Sequence, residues 1–578
     1  MRYFSDYYQK NKKILSGGVF PCVLFFYPFV TLNQGVDVSD SLYSLTNFLF
    51  FPQMEGMWIV STYVANITGW LLTLLPFGTT VLGMKFYTGL FLSLTSLLAY
   101  LLLKKYMPAW IAFLGEIIAV SYCWIPTVIL YNYLTYFFLT AGLLLLYKGL
   151  VEEKNGLLVA AGICLGINLF VRIPNLTQVA LIFGVWYYLF AGKKEMNQIL
   201  HKTVCCIFGY LLGAAVPLGG ILTQYGFSGI AQMVTGLGKV GEQDGSYSLP
   251  GMVFSTFQAY RRTSKWVLLI ILGIFMGSTM LLCFKGKWEG IKKIVYLSGI
   301  LVMLRFLWGR GMFTFRYYED YSSMYEWGMI LLYMAWIGAL YLMLSQRSSR
   351  EERLWAVFTM ILLAITPLGS NNYTYQNLNN LFVVSPLTMY VYVKLLRRNE
   401  KKKLPDKVSF AWKSMAAVLA VMILVQGIGF HGSFVFRDGM DGQKREYEFK
   451  EPAVVAGMKT TAENGRQLQP LLAFLETRPK DKKLLLLGDC PGLSFLTGRP
   501  PAIHTAWPDL ESEDYEKIAS QLERMKAEPI VVVRDKEYTT KQGLQKKHLI
   551  EKYIEKNDYQ LTYGSEMYFV YEKRSNND

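Results

Sequence analysis

Charge is scarce in this sequence. Only 17% of its 578 residues are Asp, Glu, Lys or Arg, against 53% hydrophobic and 15% aromatic, and the mean hydropathy is +0.27. That poverty of charge excludes a disordered chain and argues against an ordinary soluble enzyme. Histidine is rarer still, at four residues, none in a helical metal-binding spacing. The seven cysteines form neither a zinc pattern nor a disulfide framework, and Cys490 is alone in the C-terminal tail, which excludes a disulfide within it. What is plentiful is apolar sequence, gathered into uncharged blocks of bilayer-crossing length rather than into amphipathic stripes.

The blocks lie near residues 14–32, 80–103, 108–126, 129–147, 156–171, 177–190, 203–225, 266–284, 294–308, 327–344, 356–368, 381–396 and 410–430. They predict a polytopic α-helical membrane protein of about 13 transmembrane helices, each near the ~20 residues a span needs. A further apolar stretch, 58–77, is read as a helix on the outer surface, because counting it as a span inverts the charge pattern downstream. The net charge of +16 alone would suit a nucleic-acid binder. Its placement in short clusters between apolar blocks is instead that of membrane loops, so a lipid bilayer and no nucleic acid is expected.

Those clusters fall on alternate loops: Lys104/Lys105, Lys148/Lys154, Lys193/Lys194/Lys202, Lys285/Lys287/Lys292/Lys293, Arg347/Arg350/Arg353 and Arg397/Arg398/Lys401 to Lys403. By the positive-inside rule the N-terminus is cytoplasmic, and an odd span count leaves everything after Phe430 outside. The basic start up to Lys13 is followed by no small-residue cleavage site, so the first block is expected to be retained. The expected organisation is a transmembrane module, 1–430, and an extracytoplasmic domain, 431–578. In the tail, KLLLLG (483–488) and PIVVV (529–533) read as strands. Helical stretches are expected at 515–525 and 541–556 and a closing strand or hairpin at 560–571, together a small α/β domain.

Just past the first span runs GVDVSDSLY, residues 35–43, with two carboxylates, Asp37 and Asp40, at the outer surface. One reading is a solvated loop in which Asp40 caps the helix starting at Ser41. The other is a carboxylate held at the membrane boundary as a general base, where partial desolvation raises its pKa. Lys85 lies roughly 28 Å above the basic end of the second span and Arg172 roughly 24 Å along the fifth, so both reach the outer end, at 1.5 Å per residue. Arg310 sits near that level and Arg305 about two turns deeper, where a charge calls for a polar cavity. Each cation alone could be a snorkelling anchor; together they describe a positive pocket suited to an anionic headgroup. Glu116, halfway along the third span, needs either a structural partner such as Arg305 or a functional role.

Two other runs invite functional readings. GLGKVG (236–241) lacks the preceding strand and the Gly-Lys-Ser/Thr ending of a nucleotide loop, and is expected to be a flexible connector or a mobile outer loop. RGMFTFRYYED (310–320) suits either an acceptor entrance or an interfacial aromatic belt.

Taken together, the spans, the acidic motif in the first outer loop, the positive outer cavity and the extracytoplasmic tail resemble the GT-C superfamily of membrane glycosyltransferases. Protein O-mannosyltransferases and lipid A aminoarabinose transferases belong to it. GVDVSDSLY resembles bacterial variants in which an Asp is closely followed by an aromatic. LFVRIPN (169–175) is similar to an Arg-Pro element of such proteins, as is GSNN (369–372) with Pro386 further on. LGDCPGLSFLTG (487–498) resembles the soluble domain of several members. Many relatives have adjacent Asp-Glu, whereas Asp40 is followed by Ser41. That departure leaves Asp37 and Asp40 both open as the base, with the spacing to Tyr43 favouring Asp40.

The resemblance implies a glycosyltransferase (EC 2.4 type) that moves a sugar from a polyprenyl-phosphate donor to an acceptor hydroxyl on a glycan, lipid or protein, in a bacterial plasma membrane. Asp40 would be the base, with Asp37 shaping the loop or binding acceptor or metal. Arg172, Lys85, Arg310 and Arg305 would hold the donor phosphate, and Tyr43, Tyr131, Asn132 and Asn371 would contact acceptor or sugar. The resemblance implies no particular cofactor, and a divalent metal is compatible with this chemistry. The rivals are a lipid-linked sugar flippase or transporter, for which no internal repeat is visible, and a polysaccharide polymerase or ligase, whose outer-loop histidines are missing here.

Overall fold

The computed structural model describes residues 8–123, 128–243, 248–283, 288–315, 322–369, 372–401, 406–438 and 444–574. Each of the apolar blocks falls in a helical stretch. Among the described residues seven helices are long and apolar enough to cross a membrane, including Val81–Leu103, Leu130–Val151 and Ser323–Leu344, and Ala109–Tyr122 and Asn155–Val171 are shorter apolar helices. The first block is helical from Lys12 to Phe29 but uneven. It opens into a π-type turn at Leu15–Val19, which contains Gly17 and Gly18, and tightens at Tyr27–Phe29, around Pro28. The apolar stretch beginning at Trp58 forms two short helices, Met57–Ser61 and Tyr63–Thr73, each too short to cross.

The run 236–241, expected to be a flexible connector or a mobile outer loop, is helical instead. Met196–Gln243 continues through the Gly-rich run after a break at Gly226 (φ 64°), and Leu249–Cys283 carries the return. Glycine disfavours a helix by about 1 kcal/mol each. Here Ile230, Met233 and Leu237, spaced along one face, pack with Phe51, Val60 and Tyr63, and that burial outweighs the propensity.

Beyond the last apolar helix, Asp406–Ser433, a two-stranded ribbon pairs β1 (Tyr447–Glu448) with β2 (Lys459–Thr460). A four-stranded sheet follows, in the order β3 (Leu484–Leu487), β4 (Ile530–Arg534), β6 (Tyr568–Lys573), β5 (Tyr559–Gly564). β3 and β4 are parallel and the other pairs antiparallel. Period-two alternation, with both faces covered, explains why β3 and residues 530–533 of β4 are apolar. Leu484, Leu486, Ile530 and Val532 face the helix Ala462–Glu476, while Leu485, Leu487 and Val531 face Tyr515–Glu523 and Lys541–Lys556. The expected strands and two helices are thus present, and 560–571 is the β5–β6 hairpin.

This α/β unit is seated on the acidic loop. Gly35 N–H donates to the Lys459 carbonyl (2.7 Å), Lys459 N–H to the Asn33 carbonyl (2.8 Å), and Gly492 N–H to the Val38 carbonyl (2.9 Å). Leu42, Leu45 and Phe48 of the helix Asp40–Leu49 share one buried cluster with Val81, Leu130 and Val171 of the bundle and with Leu486, Leu493 and Phe495 of the sheet unit. Gly492 is required by this closeness: a Cβ there would lie 2.2 Å from Leu42 Cβ and 2.7 Å from the Val38 oxygen.

Replacing Gly492 by Ala should therefore destabilise the protein by about 1–3 kcal/mol through overpacking. Gly156→Ala, with nothing within 4 Å of the added methyl, should not. Thermal unfolding of the purified variants, with limited proteolysis reporting release of the 444–574 unit, checks this. Equal Tm values for the two variants would refute the tight seat.

Candidate functional site

The two carboxylates of the acidic loop have different surroundings. Asp37 is buried, and its oxygens accept Ser39 N–H (2.9 Å), Ser39 Oγ–H (2.5 Å) and Ser41 N–H (2.8 Å). From two residues before Ser39, the N-cap of the helix Asp40–Leu49, it satisfies N–H groups at the helix start that have no partner within the helix. Asp40 is the first residue of that helix and stays part-exposed, its side chain 32% accessible. Its Oδ2 lies 2.9 Å from Arg437 Nη1. The Asp40 carboxyl is raised to about 6: burial pushes it up most, Arg437 pulls it down, and Asp37 and Asp489 add to the rise.

Arg437 lies just past the last apolar helix, with its backbone in the left-handed region (φ 47°). Its neighbour Asp438 is fully buried at the seam between bundle and sheet unit. Val36 N–H (3.0 Å), Thr460 Oγ1–H (2.6 Å) and Asn464 Nδ2–H (3.0 Å) donate to that carboxylate, and Arg445 Nε lies 3.6 Å away. Burial pushes the Asp438 carboxyl up, against the pull of these partners.

On the other side of Asp40 stands the turn 488–492. Asp489 has a left-handed backbone (φ 54°) and accepts Lys536 Nζ–H (2.8 Å) and Trp507 Nε1–H (3.1 Å) on Oδ1. Tyr43, on the acidic-loop helix, meets the Trp507 ring edge-on at 5.4 Å, and its burial pushes the phenol up. Thr46 Oγ1–H donates to the Pro491 carbonyl (3.0 Å).

The cations expected around a donor phosphate are dispersed. Lys85 is buried and donates to the carbonyls of Gln34 (2.6 Å) and Gly35 (2.8 Å), so its ammonium braces the acidic loop. Arg172, at the C-terminal end of Asn155–Val171, donates to the Gly369 carbonyl (2.8 Å) and lies over the Tyr131 ring at 5.6 Å. Asn132 is half-buried beside Tyr131 at the start of the same helix, Leu130–Val151. Arg310 is exposed at the end of Glu289–Gly309, stacked on Phe306 at 5.3 Å. Arg305 is exposed on that helix, its guanidinium near Gly309, one turn closer to the end. Asn371, and 316–320 of the aromatic loop, lie outside the described residues. Glu116 is buried, and among the described residues neither of its oxygens is hydrogen-bonded and it is not paired with Arg305.

Asp37, Asp40, Tyr43 and Lys85 are therefore together; Arg172, Tyr131 and Asn132 form a second group, and Arg305 and Arg310 a third. The cation beside Asp40 is Arg437, which the sequence reading passed over by assigning it to the tail. Its position just beyond an apolar block, like that of Arg172 and Arg310, was the available signal. A divalent metal finds a poor donor set here. Asp37 is spent on loop N–H groups, Asp40 faces a guanidinium, and among the described residues no three His, Cys, Asp or Glu side chains gather into a metal-holding group.

No protein-family model matches the chain, and no curated protein does. Among solved structures it is similar to the Archaeoglobus fulgidus oligosaccharyltransferase complex with Zn and sulfate, at 11% identity and a TM-score of 0.47 over 89% of this chain and 68% of that one. The apo form of the same enzyme gives 13% and 0.47, over 97% and 74%. ArnT from Cupriavidus metallidurans, bound to undecaprenyl phosphate, gives 12% and 0.41, over 96% and 98%.

Proposed function

We propose that the protein is a membrane glycosyltransferase that moves a sugar from a polyprenyl-phosphate donor to an acceptor hydroxyl at the extracytoplasmic face, with Asp40 as general base. The observation that carries this reading is the division of labour in the acidic loop. Asp37 is consumed by N–H groups at the helix start, whereas Asp40 is accessible, beside a cation, and held near a pKa of about 6. A base of that strength is largely ionised at neutral pH and still able to accept a proton.

In the reaction, Asp40 takes the acceptor hydroxyl's proton as the oxygen bonds to the anomeric carbon. The bond from that carbon to the phosphate oxygen breaks, and its electron pair leaves on polyprenyl phosphate. Arg437, half-exposed beside Asp40, meets the phosphate's charge; its planar fork suits two phosphate oxygens at once. Arg172 is a second candidate from across the bundle, and Arg310 and Arg305 would act only at the entrance. Retention would need a second free carboxylate about 5 Å away. With Asp37 occupied by loop N–H groups, inversion is the expected outcome. Tyr43 and Trp507 offer an aromatic surface beside the base for a sugar ring.

Asp40→Asn should lower transfer from a polyprenyl-phosphate sugar at least about 100-fold, the usual scale of a general base. Its Tm should stay that of the parent. Activity near the parent's would remove Asp40 from the mechanism.

The acidic limb of kcat/KM should fall as pH drops through about 6, because the base must be ionised. Asp489→Asn deletes a charge that pushes Asp40 up, so the limb should move to lower pH. Arg437→Gln deletes the one that pulls it down and should move the limb higher. A pH profile unmoved by either substitution would sever the limb from Asp40.

A further inference from the structure

A second site stands at the opposite end of the bundle. The helix Val81–Leu103 meets the acidic loop at its first turn, where Val81 N–H donates to Val454 and Lys85 holds Gln34 and Gly35. Its 23 residues run about 34 Å, at 1.5 Å per residue, to the turn before Pro108. There a cavity of about 470 Å³ opens between Pro108, the end of Ser322–Leu344 and the last turns of Val384–Lys401. That volume is in the range of small-ligand sites.

The lining is graded. Ile111 and Val393 give it an apolar floor, while Arg347, Lys394 and Arg397 stand with the hydroxyls of Tyr341, Tyr390 and Ser348 around it. The nearby acid, Glu352, is already engaged. It takes Lys394 in an ion pair, Tyr390 Oη–H (3.0 Å) and Ser349 N–H (3.0 Å), and so pins two of the lining side chains in place. Arg353 Nη2 donates to the Ser345 carbonyl (3.0 Å) and fixes the wall beside Arg347. Among the described residues neither Arg347 nor Arg397 has a carboxylate partner. Two guanidinium groups with no carboxylate partner among the described residues, beside an apolar floor and at the level where a membrane span ends, match a phosphate group with hydrocarbon beneath it.

We propose that this pocket, formed by Arg347, Arg397, Lys394 and Tyr390 at the end of the bundle remote from Asp40, binds a phosphate-bearing anion, supplied by an anionic phospholipid headgroup or by free phosphate. It does not depend on the glycosyltransferase reading, since none of its residues belongs to that site. A lipid occupant would tie three helices together at the membrane surface.

The test is thermal unfolding of the full chain in detergent micelles doped with dioleoylphosphatidylglycerol, with dioleoylphosphatidylcholine, or with millimolar inorganic phosphate alone. A ligand binding only the folded state raises Tm, here by about 3 °C or more at saturation. A rise with phosphatidylglycerol but not with phosphate identifies the lipid as occupant, and an equal rise with phosphate alone identifies the free anion. In Arg347→Gln/Arg397→Gln the rise should vanish, with Tm in phosphatidylcholine unchanged. In Arg347→Lys/Arg397→Lys, which keeps the charge, most of it should persist. No rise with either anion, an equal rise with phosphatidylcholine, or a rise that survives the double Gln variant would overturn the proposal.

Discussion

Two buried polar side chains, Asp438 and Lys85, hold the acidic loop in one conformation, and the geometry around Asp40 follows from them. The Asp438 carboxylate takes Val36 N–H from the loop and Thr460 and Asn464 from the sheet unit, while the Lys85 ammonium takes the loop carbonyls of Gln34 and Gly35. An ionised group taken out of water is costly unless its hydrogen-bonding capacity is filled. Here the filling groups include backbone N–H and C=O of 34–36, so satisfying the two side chains and fixing the loop are one event. Gly35, with φ at 86° and Val435 packed where a Cβ would be, allows the chain to bend between them.

With the loop fixed, the charge balance at Asp40 is set by what surrounds it. Its position at a helix N-terminus favours the ionised form by about 0.3–1 kcal/mol. Arg437 favours it too, yet the carboxyl is displaced upward, because burial under the sheet unit is the larger effect and Asp37 and Asp489 add to it. The seat of the α/β unit on the helix Asp40–Leu49 is therefore electrostatic machinery as well as packing. Without that seat, Asp40 would be an ordinary surface carboxylate, with neither the burial nor the Asp489 charge that raises it.

Much of this was legible in the sequence, for identifiable reasons. Apolar blocks report helices because a bilayer permits little else, and KLLLLG and PIVVV report strands because both of their faces are covered. The acidic loop stood out because two carboxylates beside an apolar block are unusual. What could not be read is who partners whom. Lys85 and Arg172 look alike in sequence, both cations at the end of a span, but Lys85 is spent on loop carbonyls, which every residue carries and no motif advertises. Arg437 and Asp438 were hidden by a composition boundary that assigned them to the tail. The helix through 226–243 was missed because its support is a distant face, at Phe51, Val60 and Tyr63, rather than local propensity.

The sheet's own logic makes the site composite. In α/β folds the loops at the carboxyl ends of parallel strands are where ligands are met, since the turns leaving them carry backbone groups and polar side chains free of the ladder. β3 and β4 are the parallel pair here, and their carboxyl ends give Gly488, Asp489 and Lys536. A Cβ on Gly488 would lie 2.0 Å from the Arg534 oxygen, so the chain leaving β3 must hug β4 before turning at Asp489. That turn continues into Pro491 and Gly492, which press on Thr46, Val38 and Leu42. The end of the sheet that a soluble α/β protein would offer to a ligand is thus closed by the acidic-loop helix. Asp40 sits where the two meet, with Asp37 and Tyr43 from one side and Asp489 and Trp507 from the other. Neither half of the chain contains this arrangement alone.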